Sequence, residues 1–413
     1  MDITLHKSQI VNRQSKITIT GSKSESNRLL LLKALYPEFT LENISNSDDS
    51  NLMTQALISD SDIIDIHHAG TAMRFLTAFL SIQEGKEVII TGSQRMKERP
   101  IKILVDALNE LGADISYTDN EGFPPLRIKG KKLTNNKVSL QANVSSQYIS
   151  ALLLIASRLE NGLELTLEGD ITSIPYIKMT LALLEEIGIE TSFIENTINV
   201  KPNTQHPTPN TQNPTTLIVE SDWSSASYYF SIVALCGVGT EITLSSYKEN
   251  SLQGDSVLVD IYKHFGVVST FNDNKITLRK ETFNVQPLTL NLQNAPDIAQ
   301  TIAVTCFGLG IACDLTGLHT LKIKETDRLV ALKTEIEKLG GEVDITDESL
   351  HLSPSEKINK NIPIATYHDH RMAMAFAPLA LKTNIIIEDA NVVSKSYPTF
   401  WEDLESIGFK ITK

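Results

Sequence analysis

Cysteine is scarce in these 413 residues: Cys236, Cys306 and Cys313 stand in apolar stretches with no CxxC spacing. A disulfide framework and a zinc site are therefore not expected, and a reducing compartment is the default. Long apolar runs are missing as well. None approaches the ~18 residues of a membrane span, and Met1-Asp2-Ile3-Thr4 does not open a basic stretch leading into an apolar one, so a cytoplasmic protein with no membrane partner is expected. Positive charge is in deficit, with 37 Lys+Arg against 50 Asp+Glu and a net charge of -13. A general nucleic-acid or anionic-membrane binder needs a basic field, so both classes are excluded and only a local basic cleft remains open. Also absent are a Ser-His-Asp order, a G-x-S-x-G elbow, HExxH and a dinucleotide fingerprint.

With 41% hydrophobic and 21% charged residues, the composition is that of a globular chain, and its length exceeds what one core accommodates. At least two domains are expected. A helical stretch ending in apolar-x-x-apolar-Gly and leading into a β-like run recurs at Leu108 to Gly112, Leu184 to Gly188, Tyr262 to Gly266, Ile336 to Gly340 and Leu404 to Gly408. Two apolar residues three apart mark a buried helix face, and the glycine tolerates the left-handed stop. These glycines lie 76, 78, 74 and 68 residues apart, a near-constant period. A sixth unit fits at the front, from Asn51 to Ile66, without the terminal glycine. Six α/β units of this size suit two domains of three units each. The Asn-, Thr- and Pro-rich stretch from Glu195 to Thr216 reads as an exposed loop where one domain hands over to the other.

Helix starts carry cations and hydroxyls again and again. Thr20-Gly-Ser-Lys-Ser-Glu-Ser-Asn-Arg28 precedes four leucines and puts Lys23, Ser24 and Arg28 at the first turns, which suits an anion, although a solvated helix start reads as well from these residues alone. His67-His-Ala-Gly-Thr-Ala-Met-Arg74 places the small Ala69-Gly70 pair where backbone can approach a ligand. Arg95, Lys97 and Arg99 crowd in front of Pro100 and the helix expected from Ile101; three cations at a helix start oppose the dipole, so a bound anion is the economical reading. Ser145, Ser146 and Gln147 introduce another apolar helix. In the second half, Lys324 and Arg328 lie four apart with Glu325 between them, on one face of an expected helix. Asp297 follows Pro296 at a helix start, where a simple cap is the alternative. His368-Asp-His-Arg371 and Lys395 repeat the cationic theme. This pattern grips multiply charged small anions.

Gly21-Ser-Lys-Ser24 to Arg28, Ala69-Gly-Thr-Ala-Met-Arg74, Arg95-Met-Lys-Glu-Arg-Pro100, Ser145-Ser-Gln147, Lys324-Glu-Thr-Asp-Arg328 and Asp369-His-Arg-Met-Ala-Met374 together resemble the 5-enolpyruvylshikimate-3-phosphate synthase family over essentially the whole chain. The resemblance implies a two-domain inverse α/β barrel, each domain three βαβαββ units, with residues 21–218 in one domain, 1–20 and 219–413 in the other, and hinges near 20–21 and 217–222. It implies transfer of the enolpyruvyl group of phosphoenolpyruvate to the 5-hydroxyl of shikimate 3-phosphate, a shikimate-pathway step toward aromatic amino acids. A monomer with no metal or organic cofactor and no nucleic-acid partner is expected. By the same resemblance, Lys23, Ser24, Arg28, Ser145, Ser146, Gln147, Ser173, Tyr176, Asp297, Thr320 and Lys324 would bind shikimate 3-phosphate. Phosphoenolpyruvate would lie against Lys23, Gly70, Arg99, Gln147, Arg328, Arg371 and Lys395. Asp297 would take the 5-hydroxyl proton, Glu325 would deliver one to the methylene carbon, and Lys23 would complete the catalytic set. The two substrates together carry roughly -5 to -6, against six cations: Lys23, Arg28, Arg99, Arg328, Arg371 and Lys395. Since these residues fall in both halves, the site is expected to span two domains that close on their anions. Glyphosate, a phosphonate competing with phosphoenolpyruvate in sensitive members, is expected to fit beside Gly70, where a Cβ would point at it.

Five positions depart from the family's usual pattern: His67-His68 for Gly-Asn, Thr20 and Phe75 for Pro, and Thr320 for Asn. Three rival readings stand beside this one. The sister enolpyruvyl transferase acting on UDP-N-acetylglucosamine typically has a Cys before its Arg-Pro pair, and Gly92 to Pro100 has none. An RNA 3′-phosphate cyclase on a related fold is disfavoured by the acidic balance. A catalytically inactive anion-binding relative would have no need of both Asp297 and Glu325.

Overall fold

The computed structural model describes residues 1–10, 14–141, 145–171, 174–203, 216–282 and 286–413. Ser22–Val219 forms one compact unit, and Met1–Gly21 with Glu220–Lys413 forms the other.

Five four-stranded sheets share one plan. Ile63–Asp65 pairs parallel with Glu87–Thr91, which pairs antiparallel with Leu126–Lys129, which in turn pairs antiparallel with Asp114–Tyr117. The same parallel, antiparallel, antiparallel order recurs from Lys137–Gln141 to Thr191–Ile194 and from Leu288–Asn291 to Val343–Ile345. Two further sheets borrow a strand from the chain's beginning. Gln14–Ile17 supplies the parallel partner of Glu241–Ser245, and Ile3–His6 is inserted between Ile385–Ile387 and Lys410–Thr412.

The glycine punctuation is the local cause of this repetition. All five glycines carry positive φ, from 71° at Gly266 to 110° at Gly408, and a strand begins one to three residues after each. There the left-handed conformation, cheap only for glycine, turns a helix into the next strand, which opens an outer hairpin after the first four glycines and pairs with Ile3–His6 after Gly408. The sixth unit is shorter than the others. Its helix Asp48–Leu57 ends at Ile58 with φ -104° and no glycine, and the next strand, Ile63–Asp65, opens the following sheet instead of closing its own. That sheet is only Thr40–Glu42 beside Thr216–Ile218.

Helices lie inside and sheets outside. Gly70–Ser81 and Ser146–Ala156 in one unit, and Trp223–Leu235 and Ala299–Leu309 in the other, are buried on nearly every side, as helices apolar all round must be. Strands such as Lys137–Gln141 alternate buried and exposed residues, turning one face to water. The loop expected from Glu195 begins too early: Glu195 sits in the turn of the Thr191–Ile194 and Thr197–Val200 hairpin, and residues 204–215 lie outside the described residues. No helix of the described residues is long and apolar enough to cross a membrane.

Candidate functional site

In the unit Ser22–Val219, Ser22 caps the helix Lys23–Leu35 by accepting from Glu25 N–H, so Lys23 and Ser24 stand in its first turn. Lys23 Nζ is 3.7 Å from Asp49. Arg28, only 2% exposed, spends its N–H groups on neutral acceptors: Ser24 O at 2.7 Å, Thr180 Oγ1 at 2.8 Å, Ser150 Oγ at 2.9 Å and Tyr176 O at 3.4 Å. Its guanidinium lies 5.4 Å from the Phe75 ring centroid and 5.9 Å from that of Tyr176. Burial brings Arg28 down to about 10, with Tyr176 and Glu25 opposing. Arg74 is in the same position. It donates to Gly70 O and Pro100 O, and burial, then Arg99, brings it down to about 10. Neither arginine forms an ion pair among the described residues: both are buried cations that donate to neutral acceptors, with Glu25 acting on Arg28 only from beyond ion-pair distance.

Gln147 Nε2 donates to Thr71 Oγ1 at 3.2 Å, tying the start of Ser146–Ala156 to that of Gly70–Ser81. Ser145 caps the former helix through Gln147 N–H, and Ser146 is buried beside it. Arg99 lies against Gly70, whose added Cβ would stand 2.4 Å from Nη1. The dipole argument for Arg95 and Lys97 fails, because both lie at the end of a short helix, Gln94–Lys97, where cations are favoured. Arg95 pairs with Glu98 at the surface. Ser173 lies outside the described residues.

In the other unit, Asp297 gathers three cations: Arg328 Nη1 at 2.8 Å, Arg371 Nη2 at 3.3 Å and Lys324 Nζ at 3.5 Å. Burial pushes its carboxyl up, but Lys324, Arg371 and Arg328 outweigh that and hold it well below the ordinary carboxylate range. It caps nothing, for the turn Pro296–Ile298 has no side-chain cap. Arg328 also donates to Glu325 Oε2 at 2.8 Å and to Asp369 Oδ2 at 2.6 Å. Burial works against its charge, yet Asp369, Glu325 and Asp297 keep it above its ordinary value. Lys324 is not helical as expected. Asp327 accepts from Leu329 and Val330 N–H, so the helix Arg328–Lys338 starts only at Arg328, and Lys324 is extended. Both cations nevertheless reach Asp297.

Arg371 Nη2 donates to Ser224 Oγ, which donates in turn to buried Asp255. Burial, then Asp297, pushes Asp255 up to about 6. Lys395 Nζ donates to His368 O at 2.6 Å. Thr320 lies in the turn His319–Ile323 with its Oγ1 buried and, among the described residues, without a hydrogen-bond partner. Lys324, Arg328 and Arg371 are already matched by Asp297, Glu325 and Asp369, which the count of six positive charges does not include. Sequence reasoning gave no role to Arg74, Asp369, Asp255, Ser150 or Thr180. The last two had one signal, a hydroxyl inside an apolar helix. Among the described residues, no group of three or more His, Cys, Asp or Glu could hold a metal ion.

A family model described as EPSP synthase (3-phosphoshikimate 1-carboxyvinyltransferase) matches residues 56–404. The chain is 46% identical over 403 residues to the 3-phosphoshikimate 1-carboxyvinyltransferase of Bacteroides fragilis, covering 96% of each. It is 36% identical over 433 residues to the protein of that name from Haemophilus influenzae, covering 96% of this chain and 97% of the relative. EPSP synthase from Acinetobacter baumannii matches its fold with a TM-score of 0.79 over 100% of both chains, at 19% identity. The enolpyruvyl transferase NikO from Streptomyces tendae matches at 0.73 over 100% of this chain and 98% of that one, at 13% identity. Those two likenesses speak for the fold alone. The family model's reach across most of the sequence and the near end-to-end identity to the bacterial relatives decide the matter: this chain belongs to the EPSP synthase (3-phosphoshikimate 1-carboxyvinyltransferase) family.

Proposed function

We infer that this chain transfers the enolpyruvyl group of phosphoenolpyruvate to the 5-hydroxyl of shikimate 3-phosphate and releases phosphate, a shikimate-pathway step toward aromatic amino acids. The observation that carries the reading is Arg28, a buried guanidinium whose partners are all neutral. An incoming phosphate supplies a direct ionic partner in a site already desolvated. Lys23, Ser24, Ser145, Ser146, Gln147 and Tyr176 surround the same ligand in this reading, with Thr320 and Lys324 on its hydroxyls. Ser173 keeps its assignment from the sequence. Phosphoenolpyruvate takes Lys23, Gly70, Arg99, Gln147, Arg328, Arg371 and Lys395.

The reaction is an addition followed by an elimination. The 5-oxygen bonds to the carbon bearing the phosphate while the adjacent methylene carbon gains a proton. The methyl group then loses a proton as the carbon–oxygen bond to phosphate breaks and the enol ether forms. Atoms and electrons balance without an oxidant or reductant. Asp297 accepts the hydroxyl proton, and Glu325 delivers the carbon proton and later removes one. In the free protein Asp297 is a poor base because three cations hold its proton affinity down. Two polyanions claiming Lys324, Arg328 and Arg371 weaken that hold, so substrate binding itself raises the basicity the first step needs.

Phosphate release from phosphoenolpyruvate tests the reaction. It is expected with shikimate 3-phosphate and not with UDP-N-acetylglucosamine, and the reverse preference would replace this reading with the sister transferase. A second expectation concerns Gly70→Ala. The first body in the way of the new Cβ is the Arg99 guanidinium rather than the ligand. Its displacement should weaken phosphoenolpyruvate and glyphosate together, each by roughly 10-fold, about the worth of one charge-assisted hydrogen bond. An unchanged KM alongside an unchanged inhibition constant would remove Arg99 from that role.

A further inference from the structure

Arg328 and Glu335 stand seven residues apart on the helix Arg328–Lys338, hence on one face, and are 2% and 0% exposed. Both reach the same segment. Arg328 holds Asp369, while Glu335 Oε1 accepts from Tyr367 Oη at 2.6 Å and Oε2 accepts from Ala365 N–H at 3.2 Å. The Lys338 ammonium also pairs with Oε2. Between these clamps, Tyr367 and His368 both adopt left-handed backbone, with φ of 53° and 56°. Such a conformation is costly for side-chain-bearing residues and persists only where its surroundings enforce it. The turn closes through Asp369 N–H to Thr366 O at 2.8 Å. It delivers Asp369 to Arg328 and to the Arg371 N–H, and presents the His368 carbonyl to Lys395.

We propose that Glu335 and Tyr367 are positioning residues which hold the Tyr367–His368 turn in its left-handed form, and so set Arg371 and Lys395 for phosphoenolpyruvate. This rests on the functional reading above. A buried carboxylate is a costly way to gain stability, since an apolar pair of similar volume would do as well or better. What the carboxylate adds is two directed bonds to one turn, and directed bonds fix geometry. Burial, with Glu335 contributing, pushes Tyr367 up to about 12, so its hydroxyl stays protonated and donates at neutral pH.

Tyr367→Phe removes the hydroxyl and little else. Its expected result is a KM for phosphoenolpyruvate raised about 10-fold, with the KM for shikimate 3-phosphate within twofold of the parent. Glu335→Gln is expected to move the same constant in the same direction. A fall in melting temperature with both KM values unchanged, or an equal rise in both, would overturn the proposal. A crystal structure of Tyr367→Phe decides independently of activity. Residues 367–368 should leave the left-handed region and Arg371 should part from Asp297 and Ser224. An unmoved Arg371 overturns the inference even if the parent protein turns over neither substrate, whereas that inactivity counts only against the functional reading.

Discussion

Glu325→Gln is expected to bind both substrates nearly normally while turnover falls about 10²–10⁴-fold, the usual worth of a positioned proton-transfer group. The amide oxygen can still accept from Arg328 Nη2, as Oε2 does at 2.8 Å, so shape and anchoring survive and only the mobile proton is lost. Steady-state kcat together with calorimetric affinity reads this out; near-normal turnover would take Glu325 out of the mechanism. Asp297→Asn should lose turnover on the same scale, with an added signature in stability. The Asp297 carboxyl is held below its ordinary range by Lys324, Arg371 and Arg328 against the effect of burial. Its ion pairs therefore stabilise the fold at pH values above the unfolded carboxylate range, and that contribution fades as the pH falls below it toward the lowered folded value. The variant should melt below the parent at neutral pH and approach it in acid.

Arg28→Met should move binding and stability in opposite directions. Losing two charge-assisted bonds to a phosphate costs about 3 kcal/mol, or ~100-fold in shikimate 3-phosphate affinity. In the free protein, however, the guanidinium is buried with neutral hydrogen-bond acceptors, and burial outweighs Tyr176 and Glu25 in disfavouring its charged form. Methionine retains the stem's bulk without the charge, so the melting temperature should hold or rise. Calorimetry paired with thermal denaturation tests this. Unchanged affinity would refute the phosphate assignment, and a large drop in melting temperature would mean that Arg28 is chiefly structural.

Local chemistry was legible in the sequence wherever one residue decides the backbone. Gly112, Gly188, Gly266, Gly340 and Gly408 marked helix ends before strands because only glycine takes that turn cheaply. The same rule explains the short sixth unit, since without a glycine after Leu57 no hairpin closes. Contacts made across the chain were not legible. Arg28 meets Ser150 and Thr180, which are 122 and 152 residues away, and nothing local announces them. The four-residue spacing of Lys324 and Arg328 predicts a shared helix face, yet the Asp327 cap between them starts the helix only at Arg328. Position in sequence groups Arg95 with the anion-binding cations, but a short helix places it beside Glu98. Sequence charge supplies only the inventory; folding decides which cations meet Asp369, Asp297 and Glu325 and which meet neutral acceptors.

The strand Ile3–His6 lies between Ile385–Ile387 and Lys410–Thr412, and His6 bonds Thr412 across 406 residues. At about 5–20 residues per second, a ribosome needs roughly 20–80 s to make the second partner after the first. Ser22–Val219 is continuous and has all its own strands by then. It can fold during synthesis as an insertion within a host that is still incomplete. The host's opening strands, Ile3–His6 and Gln14–Ile17, meanwhile wait with unpaired edges, a hazard for pairing with the wrong chain. Their brevity, four residues each, limits what such an edge can capture. Assembly of these residues thus runs from the middle outward, with Lys410–Thr412 joining Ile3–His6 only after the inserted unit has been made.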